Sequence, residues 1–207
     1  MTRANTPPMT KKNKTVYLID DDTTILSGIT LFLRDHGFQV QAYTNLTDFK
    51  ESLPLKPLSV MLTDMQLASE SGLDVQAFLN NEHIDVPTIF LSGNSQPQQI
   101  ISALKNGADD FLLKPVDPNQ LLNLIKKAFE RLIPQLALAE TNIALTALYQ
   151  TLTKKEKEVA QYIKQGYSNK MIGGILHIQP DTVKKYRSQI FEKLQCSNLP
   201  ELISNYP

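Results

Sequence analysis

The 207 residues include one cysteine, Cys196. A disulfide framework and any cysteine-based metal site are therefore excluded. Cys196 falls in an apolar pattern of helical spacing, which predicts a small buried side chain rather than a nucleophile. Long hydrophobic runs are missing too: no stretch approaches the roughly 18 consecutive apolar residues of a membrane-spanning helix, so no membrane partner is expected. The N-terminal TRANTPPMTKKNK has no apolar segment of the kind that a secretory signal needs, which predicts a cytoplasmic protein. Residues 1–14 are polar, carry Pro7-Pro8 and are expected to be a disordered tail.

Net charge is also lacking, since 21 Lys/Arg face 21 Asp/Glu. The charge is unevenly spread. Residues 15–150 hold 8 basic and 16 acidic residues, whereas residues 151–207 hold 9 basic and 5 acidic ones. An acidic body with a basic C-terminal portion points to a polyanionic partner for that portion alone.

At 42% apolar residues the chain can bury a sizeable core, and the apolar runs are arranged periodically. Strands are expected at 15–19, 38–43, 58–63, 86–91 and 110–113. Helices are expected at 23–35, 46–53, 73–80, 98–106 and 118–132, with Gly37 and Gly107 as helix stops. Strands alternating with helices of this length make βαβ units around a parallel sheet. Runs such as VYLI, VML, TIFL and FLL read as strands buried on both faces. The fold class expected is α/β: a flavodoxin-like, doubly wound, five-stranded parallel sheet of order 2-1-3-4-5, followed by a second, all-α domain.

Polar groups recur at the ends of four of these strands: Asp20, Asp21 and Asp22; Asp64; Ser92; and Lys114. Open α/β folds bind ligands at this edge of the sheet. One aspartate after the first strand suffices to cap the following helix, which leaves two acids to explain. If the first and third strands are neighbours, Asp20, Asp21 and Asp64 converge. Three such carboxylates repel one another unless a hard cation lies among them, and Mg²⁺ suits this oxygen set. Such a cation also bridges and neutralises a phosphoryl group. Asp64 can then serve as a carboxylate nucleophile towards phosphorus, with Lys114 neutralising the phosphoryl oxygens and Ser92 bonding one of them. Taken singly, each residue has a bland reading as a helix cap or a solvated lysine. Four on one sheet edge do not.

These motifs resemble the receiver domain of two-component response regulators over residues 15–132. The resemblance rests on the DD pair after the first strand, TDM with Gly72 eight residues after Asp64, Ser92 after the fourth strand and Lys114-Pro115 after the fifth. It implies phosphorylation of Asp64 by a sensor histidine kinase, Mg²⁺ held by Asp20, Asp21, Asp64 and the backbone carbonyl of Gln66, and a switch made by Ser92, Phe111 and Lys114. Leu67-Ala68 stands where the family has Met-Pro, and Phe111 replaces a tyrosine. An enzyme is the runner-up. Asp20-x-Asp22-x-Thr24 fits the nucleophile motif of haloacid-dehalogenase-like phosphatases, and Ser92-Gly93-Asn94 with Asp109-Asp110 mimic later ones. That family needs its lysine before the late acidic pair, however, and Lys114 follows it. The chain is read as a non-enzyme.

Residues 133–150 are expected to be a linker helix opening near Pro134. Leu138, Leu145 and Leu152 recur at seven-residue spacing, a short coiled-coil signal. Residues 151–207 read as a helical module: a capping box Thr153-x-x-Glu156, a helix stopped at Gly166, a short helix capped by Ser168, a turn at 177–179 and a longer helix from Pro180. On a helical wheel Val183, Ile190 and Leu194 form the core side. Asp181, Lys185, Ser188 and Glu192 face away, Lys184 lies beside them, and Arg187 borders the core side.

The string from Leu152 to Leu194 resembles the LuxR/FixJ/NarL-type DNA-binding domain through Leu152-Thr153, Glu156, Glu158-Val159, Gly166, Ser168-Asn169-Lys170, Ile172, Thr182-Val183-Lys184, Arg187 and Lys193-Leu194. It implies a recognition helix over 182–193 in double-stranded DNA, with Lys170, Thr182, Lys184, Lys185, Arg187 and Ser188 at the interface. Departures are Gln179 for a serine cap, Tyr186 for histidine, and Gly173-Gly174. Two helical glycines cost about 1 kcal/mol each relative to alanine, which predicts a loose second helix. Together the resemblances imply a transcriptional regulator that forms a homodimer on phosphorylation, with RNA polymerase a further partner. A receiver acting through protein contacts alone is the remaining alternative.

Overall fold

The computed structural model describes residues 14–93 and 97–206. The tail expected over 1–14 therefore lies outside the described residues apart from Lys14, and so does Asn94. The chain divides into two compact units, one ending at Leu136 and the other beginning at Ala137.

The alternation expected from the sequence is present in the first unit: β1 (Thr15–Ile19), α1 (Thr23–Asp35), β2 (Gln39–Tyr43), α2 (Leu46–Lys50), β3 (Ser59–Asp64), α3 (Gly72–Asn81), β4 (Thr88–Ser92), α4 (Pro97–Lys105), β5 (Asp110–Leu113) and the start of α5 (Pro118–Gln150), whose residues after Leu136 belong to the second unit. The sheet is parallel, in the order β2-β1-β3-β4-β5.

Side chains of the central strands alternate between two cores, as a period of two requires. Val16, Leu18, Val60, Leu62, Ile89 and Leu91 join Ile29 and Leu33 of α1 and Ile125 and Phe129 of α5. On the opposite face Tyr17, Ile19 and Met61 meet Phe49, Val75 and Leu79, and Phe90 meets Met65 and Ala103. Only β1, β3 and β4 are buried along their whole length. β2 and β5 are edge strands whose outer residues reach solvent, and Leu113 is 61% exposed. Of the apolar runs read as buried on both faces, those of β1, β3 and β4 are so buried, whereas FLL of β5 is not, because an edge position is set by topology and not by local composition.

The helix starts follow local capping chemistry. Asp22 caps α1 by accepting from the N–H groups of Thr24 and Ile25. Ser71 and Asp74 form a reciprocal capping box at α3. Gly37 and Gly107 end α1 and α4 with φ of 85° and 96°, a region that glycine enters without steric cost.

The largest departure is α5. A helix ending near residue 132 and a separate linker helix from 133 were expected, but one helix of 33 residues runs through Pro134. Proline removes one hydrogen bond and crowds the preceding turn. Burial of Leu132, and packing of Ile133 and Leu136 on the first core, sustains the helix there. Nor do the leucines of the heptad spacing form a single seam. Leu138 is 63% exposed, whereas Leu145 packs on the core of the second unit and Leu152 is buried in it.

The second unit contains α6 (Lys154–Lys164), α7 (Asn169–Leu176), α8 (Pro180–Lys193) and α9 (Leu199–Asn205). Its core joins Val159, Ile163, Ile172, Val183, Ile190 and Leu202. Cys196 is buried as expected, but it lies in the turn between α8 and α9 rather than in a helix. The phenolic O–H of Tyr206 donates to the carbonyl of Leu194 at 2.7 Å, tying the chain end to the end of α8.

Gly173 corrects the expectation of a loose α7. A Cβ there would lie 2.7 Å from the carbonyl oxygen of Ile178, so the missing side chain lets α7 and the turn into α8 approach closely. Gly174 has open space around it, and only there does the propensity cost stand unopposed. His177 makes the turn at φ 53°.

Candidate functional site

Strand register assembles the acidic site. Ile19 pairs with Thr63, so the next residues, Asp20 and Asp64, emerge side by side from adjacent strands. On the other side of β3, Ser92 pairs with Leu113 at the same edge, and Lys114 follows, its N–H donating to the carbonyl of Ser92 at 2.7 Å. The four polar strand ends singled out from the sequence therefore share one edge.

Asp20 is fully buried and Asp64 is 7% exposed, while Asp21 faces solvent. One carboxylate oxygen from each of the three lies within 4.8 Å of the others. Lys114 Nζ donates to Asp20 Oδ2 at 2.7 Å and to Asp64 Oδ2 at 2.8 Å. Burial pushes the Asp20 carboxyl above its ordinary value, against the opposing pull of Lys114. Burial alone would lower the Lys114 ammonium, but bonds to Asp20 and Asp64 outweigh it and hold the ammonium above its usual range. Asp22 is drawn away to cap α1, and the N–H groups of Thr24 and Ile25 lower its carboxyl. In the phosphatase reading Asp22 would sit at the reaction centre. Here it is exposed and committed to the helix start.

Two further features shape the pocket. A Cβ on Gly72 would collide with the carbonyl oxygen of Asp64 and the ring of Phe90, so the loop from Asp64 can fold back tightly only with glycine there. That loop is tied by a bridge between Gln66 and Ser71 and by the Gly72 N–H donating to the Met65 carbonyl at 3.0 Å. The loop is thus fastened with Leu67-Ala68 where the resembled family has Met-Pro. The second feature is Ser92. Its Oγ is buried and has no hydrogen-bond partner among the described residues, so it does not cap the next helix, which was its bland reading. Phe111 is half-buried against Met65 and Phe90.

In the second unit α8 presents Asp181, Lys184, Lys185, Ser188 and Gln189 along a shallow concavity of about 630 Å³. Lys170 is exposed at the start of α7, and Thr182 is half-buried. Arg187 differs from its neighbours: it donates to Asn169 Oδ1 at 2.9 Å, joining α8 to α7. Lys193 donates to both carboxylate oxygens of Glu156 at 2.8 Å. Glu156 also closes the expected capping box through the Thr153 N–H at 2.7 Å. The pairing of Arg187 with Asn169 and of Lys193 with Glu156, and the place of Gln189 on the exposed face of α8, were not read from the sequence. Pairs 18 and 37 residues apart carry no local signal, whereas the placement of Gln189 four residues after Lys185 could have been read from the helical period.

The family model for the response regulator receiver domain matches residues 16–126, and that for bacterial regulatory proteins of the luxR family matches residues 150–205. Response regulator protein TmoT of Ectopseudomonas mendocina is 30% identical over 195 residues, spanning 94% of this chain and 89% of its own. Tetrathionate response regulatory protein TtrR of Salmonella typhimurium is 31% identical, spanning 93% of this chain and 91% of its own. Among solved structures, that of the response regulator StyR matches with a TM-score of 0.85 and 30% identity over 92% of this chain and 96% of that one.

Proposed function

The chain belongs to the DNA-binding two-component response regulators that join a receiver domain to a luxR-family helix-turn-helix, and on that premise we propose that phosphorylation of Asp64 by a sensor histidine kinase controls its binding to double-stranded DNA. The receiver is taken as residues 15–132, the connecting helical segment as 133–150 and the DNA-binding module as 151–207. The observation that carries the proposal is the meeting of Asp20, Asp21, Asp64 and Lys114 at one end of the sheet.

Oδ2 of Asp64 is held by Lys114. An oxygen of the Asp64 carboxylate attacks phosphorus of the donor, the bond from phosphorus to the donor breaks, and the donor leaves with the electron pair. Lys114 then carries its charge against the phosphoryl oxygens. Asp20, Asp21 and Asp64, with the backbone carbonyl of Gln66, form an all-oxygen set suited to Mg²⁺, which when bound offsets phosphoryl charge. Ser92 Oγ, without a partner among the described residues, donates to the new phosphoryl group, and Phe111 turns inward behind it.

The output follows from charge. Lys170, Lys184 and Lys185 are exposed and, with Thr182 and Ser188, line the DNA face of the module, while Arg187, bonded to Asn169, holds α8 in place behind that face. Pairing of two receivers through exposed Ile101, Leu104 and Leu113 brings two modules to one DNA molecule and raises avidity without a new DNA contact. RNA polymerase is the downstream partner. The test is to measure DNA binding by the full chain before and after acetyl phosphate treatment with Mg²⁺, alongside Asp64→Asn. Phosphorylation should tighten binding only where Asp64 is present. Equal binding in all four samples would refute control through Asp64.

A further inference from the structure

The four basic residues of α8 divide into two classes. Arg187 and Lys193 are spent inside the module, on Asn169 and Glu156. Lys184 and Lys185 are exposed, and among the described residues neither forms an ion pair or hydrogen bond. Asp181 is exposed in the first turn, and Gln179, the cap residue, makes no side-chain bond to the helix start. The exposed positions 181, 184, 185, 188, 189 and 192 fall at helical spacing on one face. At about 100° per residue, Asp181, Lys185, Ser188 and Glu192 run down the middle of that face. Lys184 lies to one side and Gln189 to the other.

We infer that Asp181 and Lys185 read bases, selecting a cytosine and a guanine within about two base pairs of each other, while Arg187 and Lys193 position the helix and Lys184 contacts phosphate. The inference rests on the DNA-binding reading above and deepens it.

The argument is one of matching charge. A helix in the major groove turns its middle line to base edges and its flanks to the phosphate walls. A carboxylate on the middle line is repelled by phosphate and by most base-edge acceptors. Cytosine offers it the N4 amino donor, whereas the amino group of adenine lies beside the N7 acceptor. An ammonium on the same line is best met by O6 and N7 of guanine. Asp181 and Lys185 are four residues apart, about 6 Å along the axis, which spans roughly two steps of 3.4 Å in DNA. Glu192 lies two turns further along the same line and opposes closer phosphate approach there, so reading is confined to the first half of α8.

The experiment is selection from a randomised duplex library by the full chain after acetyl phosphate treatment, repeated with exposed-site variants. The selected site should hold cytosine and guanine within about two base pairs. Asp181→Asn should move the first preference from cytosine towards adenine, which asparagine recognises. Lys185→Ala should abolish the guanine preference, with about 5- to 150-fold weaker binding to the wild-type site. Lys184→Ala should weaken all sites alike and lower the salt slope by about one. If the wild-type chain selects a site but both preferences survive in Asp181→Asn and Lys185→Ala, the base assignment is overturned and DNA binding stands. If the wild-type chain enriches no sequence, the DNA-binding reading falls, and this inference with it.

Discussion

Nζ of Lys114 lies 2.8 Å from Oδ2 of Asp64 and donates to it. The two residues come from strands at different depths of the chain, and the same ammonium also holds the fully buried Asp20. Lys114 therefore already neutralises the carboxylates on which a phosphoryl group would add further negative charge.

The first prediction follows from that contact. With acetyl phosphate and Mg²⁺, the chain should gain one phosphoryl group, and Asp64→Asn should gain none. Lys114→Ala should label at least about tenfold more slowly, the equivalent of about 1.4 kcal/mol of lost charge stabilisation. Intact-mass measurement over time gives the rates. A wild-type rate in Lys114→Ala would show that the ammonium does not act on the reacting group, and label on Asp20 or Asp22 would refute the choice of acceptor.

A second prediction concerns acid. Burial pushes the Glu156 carboxyl up, but the bonds from Lys193 and Thr153 outweigh it and leave its pKa below the ordinary value of 4.5. A carboxyl lowered by folding stabilises the native state above its ordinary value and loses that contribution as pH falls through the folded one. The protection of amides in α6 and α8, taken relative to the intrinsic exchange rate at each pH, should accordingly fall below about pH 4.5. In Glu156→Gln the added acid sensitivity of these two helices should vanish. If the variant shows the same acid response, another group is responsible.

The paired glycines of α7 should respond in opposite directions. Gly173→Ala puts a methyl group against the Ile178 carbonyl and should destabilise the module, whereas Gly174→Ala, in open space, should stabilise it by about 0.8–1 kcal/mol. Gln179→Ser supplies the missing cap of α8 and should add about 1 kcal/mol. Denaturant unfolding followed by helical circular dichroism ranks the three variants. Equal effects at the two glycines would mean that α7 does not approach the 178 carbonyl as described.

Association is the fourth prediction. Beryllofluoride with Mg²⁺ should convert the chain to a dimer in sedimentation velocity, and Ile101→Asp combined with Leu113→Asp should keep it monomeric without affecting labelling of Asp64. Ile101 is 51% exposed and Leu113 61%, so the variants leave the core intact. Asp109 is already engaged by Arg131 and by the N–H of Thr88, which leaves the apolar pair as the main contact. A modified chain that stays monomeric would overturn dimerisation as the route to tighter DNA binding.

What could be read from the sequence was local or periodic. Caps at Asp22, Thr153 and Ser168 use neighbours three residues away, and the sheet order followed from βαβ alternation. Polar strand ends became a site once that order was assumed. Features set by tertiary packing were not legible. Pro134 reads locally as a helix start, yet the core under Leu132 and Leu136 carries the helix through it. Gly173 reads as a weakness and is a close contact. Arg187 reads as a DNA ligand by type, and only the fold brings Asn169 to it.

The hydroxyl of Ser92, which has no hydrogen-bond partner among the described residues, bears on the balance between two conformations. A buried polar group left without a bond costs about 1–3 kcal/mol, and this cost falls on the unmodified chain alone if the phosphoryl group supplies the missing acceptor. Removing the hydroxyl in Ser92→Ala would relieve the resting conformation and weaken the modified one, both in the same direction. Since about 1.4 kcal/mol is a tenfold change in an equilibrium, this one oxygen atom could set how many resting molecules sample the active arrangement before any phosphate arrives.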